Sequence, residues 1–220
     1  MNRSDRVMIG AIRLGIAVPI LYFGIQFAAA PFYPGYSFLS RDASTLGSSG
    51  STAPAVFNYG VMLLGLVTLV ASVGLLRGLG RLGVSPASRW LAFLAVMSCG
   101  LGSINASLYP LPDPRHTSGM LSLASAGTFL LPFALPAALW KWRGRNAETA
   151  YFAANMLAII PLAIVMSSLI QRWGMRTGAD LSGYQYFLNH YHGLLQRVVA
   201  AIVFGPVAVA AQSVLRRLPE

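Results

Sequence analysis

Six long apolar stretches constrain this chain more than any other feature, because each is long enough to cross a bilayer as an α-helix of about 20 residues. Hydrophobic residues make up 55% of the composition and charged residues only 10%, whereas soluble domains contain about 25% charged residues. The pattern predicts an all-α, polytopic membrane helix bundle with six transmembrane helices in a single domain, residues 1–220. The predicted spans are about Val7–Ala30, Ala55–Leu76, Trp90–Tyr109, Gly119–Trp140, Thr149–Ile170 and Tyr191–Leu215.

The net charge of +10 lies mainly between the spans, and it is unequally divided between the two sides. One side carries ten cationic residues, namely Arg3, Arg6, Arg77, Arg81, Arg89, Lys141, Arg143, Arg145, Arg216 and Arg217. The other side carries four, namely Arg41, Arg115, Arg172 and Arg176. This bias predicts a plasma-membrane protein with both termini in the cytoplasm. A nucleic-acid interface would gather its basic residues on one folded face, so no nucleic-acid partner is expected.

Polar residues concentrate in the predicted outer connections, the last of which is Gln171–His190. All three histidines lie on this side, namely His116, His190 and His192. So do several acids and amides, namely Asp42, Asp113, Asp180, Asn58 and Asn105. Polar side chains at membrane depth usually face a cavity or one another. The clustering predicts a polar mouth at the outer leaflet; the alternative is a set of outer loops that are simply polar and hydrated.

Arg197 is the most informative single residue, because it falls inside the last apolar stretch. If the sixth helix begins at Tyr191, Arg197 lies about two turns below the outer surface. A guanidinium group at that depth is expected to pair with a carboxylate, and Asp42 and Asp113 are the candidate partners. The alternative is that Arg197 extends to the phosphate headgroups.

A metal site is the alternative use of the histidines. His116, His190 and His192 together would suit a catalytic zinc with one open position. However, His190 and His192 are two residues apart and point to different sides of a helix, so they could share an ion only in an extended segment. Ser44, a histidine and Asp42 could form a nucleophile and base, although no nucleophile-elbow motif is present. No cofactor is favoured, and zinc is the alternative.

Several of these residues form short motifs in a recognisable order. They are Asp42–Gly47 before the second span, Phe57–Gly60 at its start, Tyr109-Pro110 followed by Asp113 and His116, and His192–Arg197 at the start of the sixth span. In this order the sequence resembles the prokaryotic six-helix membrane proteins of the domain of unknown function 998 family. The resemblance implies six spans and an outward-facing polar cluster in which Asp42 and Arg197 share one site. It implies no activity.

The favoured function is therefore binding rather than catalysis. The predicted outward-facing pocket would hold a membrane lipid headgroup, a small polar ligand or a partner, either another membrane subunit or a second copy of the chain. Its predicted residues are Asp42, Ser44, Asn58, Asp113, His116, His192 and Arg197. A metal-assisted membrane hydrolase that uses the histidines is the second hypothesis. A small-solute transporter is the third, and the lack of an acid near the bilayer midplane counts against it.

Overall fold

The computed structural model describes residues 2–144, 146–166 and 169–219, without the side chains of residues 117–125, 128, 163, 166 and 169. Within these residues the regular structure is helical and contains no β-strand, which confirms the predicted all-α class. The α-helices are α1 Arg3–Ala29, α2 Pro54–Arg81, α3 Pro86–Leu108, α4 Pro114–Leu139, α5 Ala147–Met166, α6 Leu169–Thr177 and α7 Ser182–Arg217. Short 3-10 helices cover Ala30–Phe32, Ala43–Gly47 and Trp140–Trp142.

Four helical segments of the described chain are long and apolar enough to cross a membrane. They are Arg3–Phe32, Pro54–Arg81, Pro86–Leu108 and Ser182–Arg217. The described residues also include two shorter apolar segments, Phe129–Trp142 and Ala147–Leu162. Large apolar side chains such as Phe27, Leu63 and Leu157 lie exposed on the outer faces of these helices, where a lipid environment removes the cost that water would impose. The protein is an integral membrane protein.

Proline and capping residues set the starts of three helices. Pro54, Pro86 and Pro114 occupy the first turns of α2, α3 and α4, where the missing N–H costs nothing and the fixed φ suits the helix. Ser85 and Asp113 precede two of these prolines, and their side chains accept hydrogen bonds from backbone N–H groups in the first turns of α3 and α4. The polar connections therefore end in defined helix starts.

Small residues bring α1, α2 and α3 into close contact. A Cβ atom on Gly74 of α2 would lie 2.7 Å from the backbone nitrogen of Ile12 in α1. Gly65 of α2 and Gly100 of α3 face each other in the same way, since a Cβ atom on either would lie within 3.0 Å of the other's carbonyl oxygen. Helices in membranes associate largely through such close packing, and this contact fixes the walls of the cavity described below.

The helices place two chemically different ends on the bundle. The basic end contains the start of α1, the end of α2, the start of α3 and the end of α7. Ion pairs lie at this end, with Arg81 Nη2 of α2 at 2.6 Å from Asp5 Oδ1 of α1 and Arg217 Nη1 of α7 at 3.3 Å from Glu148 Oε2 at the start of α5. The loop end contains residues 30–53 and the start of α7. Arg145, one of the ten predicted basic-side cations, lies outside the described residues.

Several helix ends differ from the predicted span limits, because hydropathy reports the surroundings of a helix and not where its hydrogen bonding stops. The sixth span was predicted from Tyr191, but α7 begins at Ser182 and has 36 residues, a length of about 54 Å against a hydrocarbon core of about 30 Å. The predicted outer loop Gln171–His190 is consequently mostly helical, in α6 and the first turns of α7. The fourth helix begins at Pro114, before the predicted Gly119.

Candidate functional site

The connection between α1 and α2, residues 30–53, folds back over the helix ends instead of extending into solvent. Its short 3-10 helix Ala43–Gly47, here called the loop helix, inserts Leu46 into a small core with Ala29 and Phe57, and Leu46 is fully buried. Asn58 of α2 donates from Nδ2 to the carbonyl oxygen of Gly47 at 3.1 Å. These contacts fix the loop helix against the start of α2.

Arg197 of α7 holds the preceding part of the same connection. Its Nη1 donates to the carbonyl oxygens of Phe38 at 2.9 Å, Arg41 at 3.0 Å and Gly193 at 2.7 Å, and its Nη2 donates to the hydroxyl oxygen of Tyr36. The guanidinium carbon lies 4.9 Å from the centre of the Phe38 ring. Arg197 is only 8% exposed, so its charge is stabilised inside the protein by converging carbonyl dipoles and an aromatic face.

The predicted carboxylate partner of Arg197 was wrong. Among the described residues, no carboxylate oxygen lies within ion-pair distance of its guanidinium group. Asp42 instead approaches His192, with Oδ1 at 2.6 Å from Nδ1, and Asp113 pairs with Arg115, with Oδ2 at 2.7 Å from Nη2. Backbone carbonyl groups and the Tyr36 hydroxyl accept from its two terminal nitrogens, whereas its buried Nε has no partner among the described residues.

The loop and α7 also meet backbone to backbone. The N–H group of Leu194 donates to the carbonyl oxygen of Leu39 at 2.9 Å, although a helical N–H normally bonds to the carbonyl four residues earlier. Gly193 makes this approach possible, because a Cβ atom there would lie 2.3 Å from the carbonyl oxygen of Arg41. The position therefore requires glycine for steric reasons.

Tyr36 also takes part in the contact between Arg197 and the loop, here called the Arg197 anchor. Its hydroxyl group donates to the carbonyl oxygen of Asp42 at 3.1 Å and accepts from Arg197. Partial burial raises the pKa of Tyr36 above its ordinary value, and the nearby Arg197 cation opposes this effect without cancelling it. The phenol therefore keeps its proton at neutral pH and remains a donor to the loop backbone.

A cavity of about 200 Å³ lies beneath the loop helix, between α1, α2, α3, α4 and α7. Of its polar lining residues, Ser44, His116 and Gln196 come from the loop end of the bundle, and Ser103, whose hydroxyl donates to the Cys99 carbonyl oxygen, comes from α3. Leu64 and Phe204 line the cavity farther along α2 and α7. Phe204 follows Gln196 by eight residues, which corresponds to about 12 Å along a helix. The cavity therefore has a polar end under the loop helix and an apolar interior.

The polar end presents defined hydrogen-bonding groups. Gln196 accepts at Oε1 from the backbone N–H of Ala43 at 2.7 Å, which leaves its Nε2 group without an acceptor among the described residues. His116 is 5% exposed, and its Nδ1 lies 2.8 Å from the carbonyl oxygen of Tyr109. A carbonyl can only accept, so Nδ1 carries the proton and Nε2 is an acceptor in the neutral ring. Together with the Ser44 hydroxyl, these groups can bind a small polar moiety.

The structure divides the seven predicted site residues among three roles. Ser44 and His116 line the cavity. Asn58, Arg197 and the Asp42–His192 pair hold the loop or its contact with α7. Asp113 is the N-cap of α4 and is not among the residues that line the cavity. Hydrogen bonds from the Arg115 side chain and backbone lower the pKa of its carboxyl group to about 2.

The three histidines have three separate partners. His192 contacts Asp42, His116 contacts the Tyr109 carbonyl, and His190 Nδ1 lies 2.8 Å from the carbonyl oxygen of Tyr186, whose ring it also stacks against. The described residues contain no group of three His, Cys, Asp or Glu side chains that could hold a metal ion. The geometry among the described residues does not bring the predicted zinc ligands together.

Sequence reasoning missed three residues of the site: Gln196, Tyr36 and Tyr22. Gln196 lies within the quoted motif His192–Arg197 but was not assigned a role, and Tyr22 lines the cavity from α1. The sequence does contain a related signal for this region in Gln26, an amide residue inside an apolar stretch. Gln26 is 1% exposed, and its side chain donates to the Tyr22 carbonyl oxygen at 3.1 Å. A polar residue within an apolar span usually faces the bundle interior.

Residues 16–213 match the family model described as Protein of unknown function (DUF998). The chain belongs to this family. The DUF998 match begins within α1 and ends within α7, so it includes the loop helix, Arg197 and the cavity. Comparisons with curated proteins and with solved structures gave no match. The description of DUF998 assigns no activity, so any function for this member must come from the site.

Proposed function

We propose that this DUF998 protein is a six-span plasma-membrane protein that binds one amphipathic lipid in the cavity beneath the loop helix. The observation that carries the proposal is the division of the cavity into a polar end with Ser44, His116 and Gln196 and an apolar interior with Leu64 and Phe204. A lipid has the same division, because its headgroup needs hydrogen-bond partners and its chain does not. The proposed role is binding and includes no chemical step.

The six-span topology is supported by helix length and charge. Besides the four spans of sufficient length and apolarity in the described residues, α4 has 26 residues and α5 has 20, and 20 residues extend about 30 Å. Both chain ends lie at the basic end of the bundle, where Asp5 pairs with Arg81 and Glu148 with Arg217. The positive-inside rule assigns that end to the cytoplasm, so the loop helix and the cavity mouth face outward.

The size of the cavity favours part of a lipid chain over a bulky soluble ligand. Sites for drug-sized molecules usually occupy about 300–1,000 Å³, and this cavity measures about 200 Å³. A single acyl chain can enter such a space, with the headgroup at its polar end, while the second chain of the lipid stays in the bilayer. The Arg197 anchor supports this arrangement, because it holds the loop that carries Ser44 over the cavity.

Photo-crosslinking of a phospholipid with a diazirine on one acyl chain tests the proposal in the intact protein. We expect crosslinks on the peptides that contain Leu64 and Phe204. Ala106 lines the cavity, so Ala106→Phe should fill it and abolish those crosslinks. Ala28 is exposed on α1, so Ala28→Phe adds the same ring outside the cavity and should leave them unchanged. Crosslinks that are confined to the exposed faces, or that Ala106→Phe leaves intact, would contradict the proposal.

A further inference from the structure

A second cavity, of about 500 Å³, lies at the basic end of the bundle, far from the loop helix. It is formed where the start of α1, the end of α2 and the start of α3 meet, and its lining includes Ser4, Arg77, Gly80, Arg81, Arg89 and Trp90. Three arginine residues and a serine therefore border one space. Guanidinium groups match phosphate oxygens in both charge and geometry.

The ion pairing within this cavity leaves an excess of positive charge. Arg81 is neutralised by Asp5 at 2.6 Å. In the part of the chain that the structure describes, neither Arg77 nor Arg89 forms an ion pair. The Nε atom of Arg89 is also buried and has no hydrogen-bond acceptor among the described residues. An acceptor from a ligand would satisfy this buried donor.

The packing around Arg89 positions its guanidinium group beside α2. Gly80 lies directly against it, since a Cβ atom on residue 80 would be 2.6 Å from Arg89 Nη1. Trp90 is 48% exposed next to it, and tryptophan is enriched at the level of the lipid headgroups. The cationic groups therefore lie next to an aromatic residue typical of the membrane interface.

We infer that this cavity binds the phosphate of an anionic phospholipid at the basic side of the membrane, with Arg77 and Arg89 as its ligands and Trp90 against the glycerol and upper chain region. Basic pockets between transmembrane helices bind anionic headgroups in this way. The site is independent of the cavity beneath the loop helix, because the two share no lining residue.

Native mass spectrometry of the full chain, released from nanodiscs of equimolar phosphatidylglycerol and phosphatidylcholine, tests the assignment. The wild-type protein should retain phosphatidylglycerol preferentially. The R77Q/R89Q variant should lose that preference by about five- to thirtyfold, as expected for the loss of one to two interfacial cations. Arg216 is exposed at the same end and outside the cavity, so R216Q is the matched control and should retain the preference.

Two outcomes would overturn the inference. Equal phosphatidylglycerol retention by the wild type, R77Q/R89Q and R216Q would show that Arg77 and Arg89 do not bind the lipid. Thermal stabilisation of the lipid-free wild type by inorganic phosphate, equal to that by phosphatidylglycerol, would assign the cavity to a free anion. Arg77 is exposed, so R77Q alone should fold and serves as the test variant if the double variant does not.

Discussion

Gly193 of α7 and Arg41 of the loop touch through their backbones, and a Cβ atom on residue 193 would lie 2.3 Å from the Arg41 carbonyl oxygen and 2.8 Å from its nitrogen. The same carbonyl oxygen accepts from Arg197, one turn farther along α7, at 3.0 Å. One turn of helix therefore provides both the space for the loop and the cation that holds it there. Because the loop continues into Ala43 and Ser44, this contact also positions the roof of the cavity.

Replacement of Gly193 by Ala should displace the loop. The added methyl group meets backbone atoms, which cannot move aside as a flexible side chain can, so we expect a loss of about 1–3 kcal/mol in the free energy of unfolding. Gly183 lies on the same helix, and a Cβ atom there would meet nothing within 4 Å. Gly183→Ala is therefore the control and should be neutral or slightly stabilising. Unfolding in mixed micelles measures both, and equal stability of the two variants would refute the steric role of Gly193.

We expect that lysine at position 197 cannot hold the loop as arginine does. The guanidinium group reaches three carbonyl oxygens and the Tyr36 hydroxyl at once, whereas an ammonium group is a compact donor without the planar fork. We expect Arg197→Lys to lower the free energy of unfolding by about 2 kcal/mol, the scale of one charged hydrogen bond. Arg176 is exposed, and Arg176→Lys should have no measurable effect. A fully stable Arg197→Lys variant would mean that charge alone holds the loop.

Asp113 should remain ionised well below the usual pH range for aspartate. Its pKa is lowered to about 2 by Arg115, compared with about 3.9 in an unfolded chain. Because the folded value is the lower one, the stabilisation from this pair is present above about pH 4 and is lost as the pH falls towards 2. Carbon-13 NMR of labelled aspartate can follow the titration. Arg115→Gln should move it towards about 4, and a wild-type titration already at that value would contradict the pairing.

The fold class could be predicted from the sequence because apolar stretches of this length have few alternatives to a membrane helix. The ends of the helices could not be predicted from the same apolar pattern. At the start of α7, Tyr184, Tyr186 and His190 are polar enough to end a hydropathy window, yet they continue the helix. Backbone hydrogen bonding and membrane depth are separate properties, and hydropathy reports only the second.

The site could be predicted only in part, for a similar reason. The family resemblance implied that Asp42 and Arg197 share one site, and in the structure Asp42 contacts His192, which lies on the same helix as Arg197. The partners of Arg197 could not be predicted, because every residue has a backbone carbonyl oxygen and the sequence does not show which of them will accept from the guanidinium group. Ser44 and Gln196 border one cavity only because the loop folds over the helix ends, and that path depends on close contacts such as the one at Gly193.

Cys99, the only cysteine in the sequence, can report whether lipid occupies the cavity. Its side chain lines the cavity and is 4% exposed. A bound acyl chain should cover the thiol, so the rate of its alkylation by N-ethylmaleimide should fall as lipid is added to delipidated protein.

The deciding measurement is therefore the Cys99 alkylation rate in lipid-free detergent and after titration with phospholipid. A Leu94→Cys substitution in a Cys99→Ala background places the thiol on an exposed position of the same helix and controls for general effects of the lipid. The account predicts that lipid slows alkylation of Cys99 in proportion to occupancy and that Ala106→Phe removes this dependence. An alkylation rate at Cys99 that responds to lipid no more than the rate at position 94 would contradict the proposal of a lipid-binding cavity.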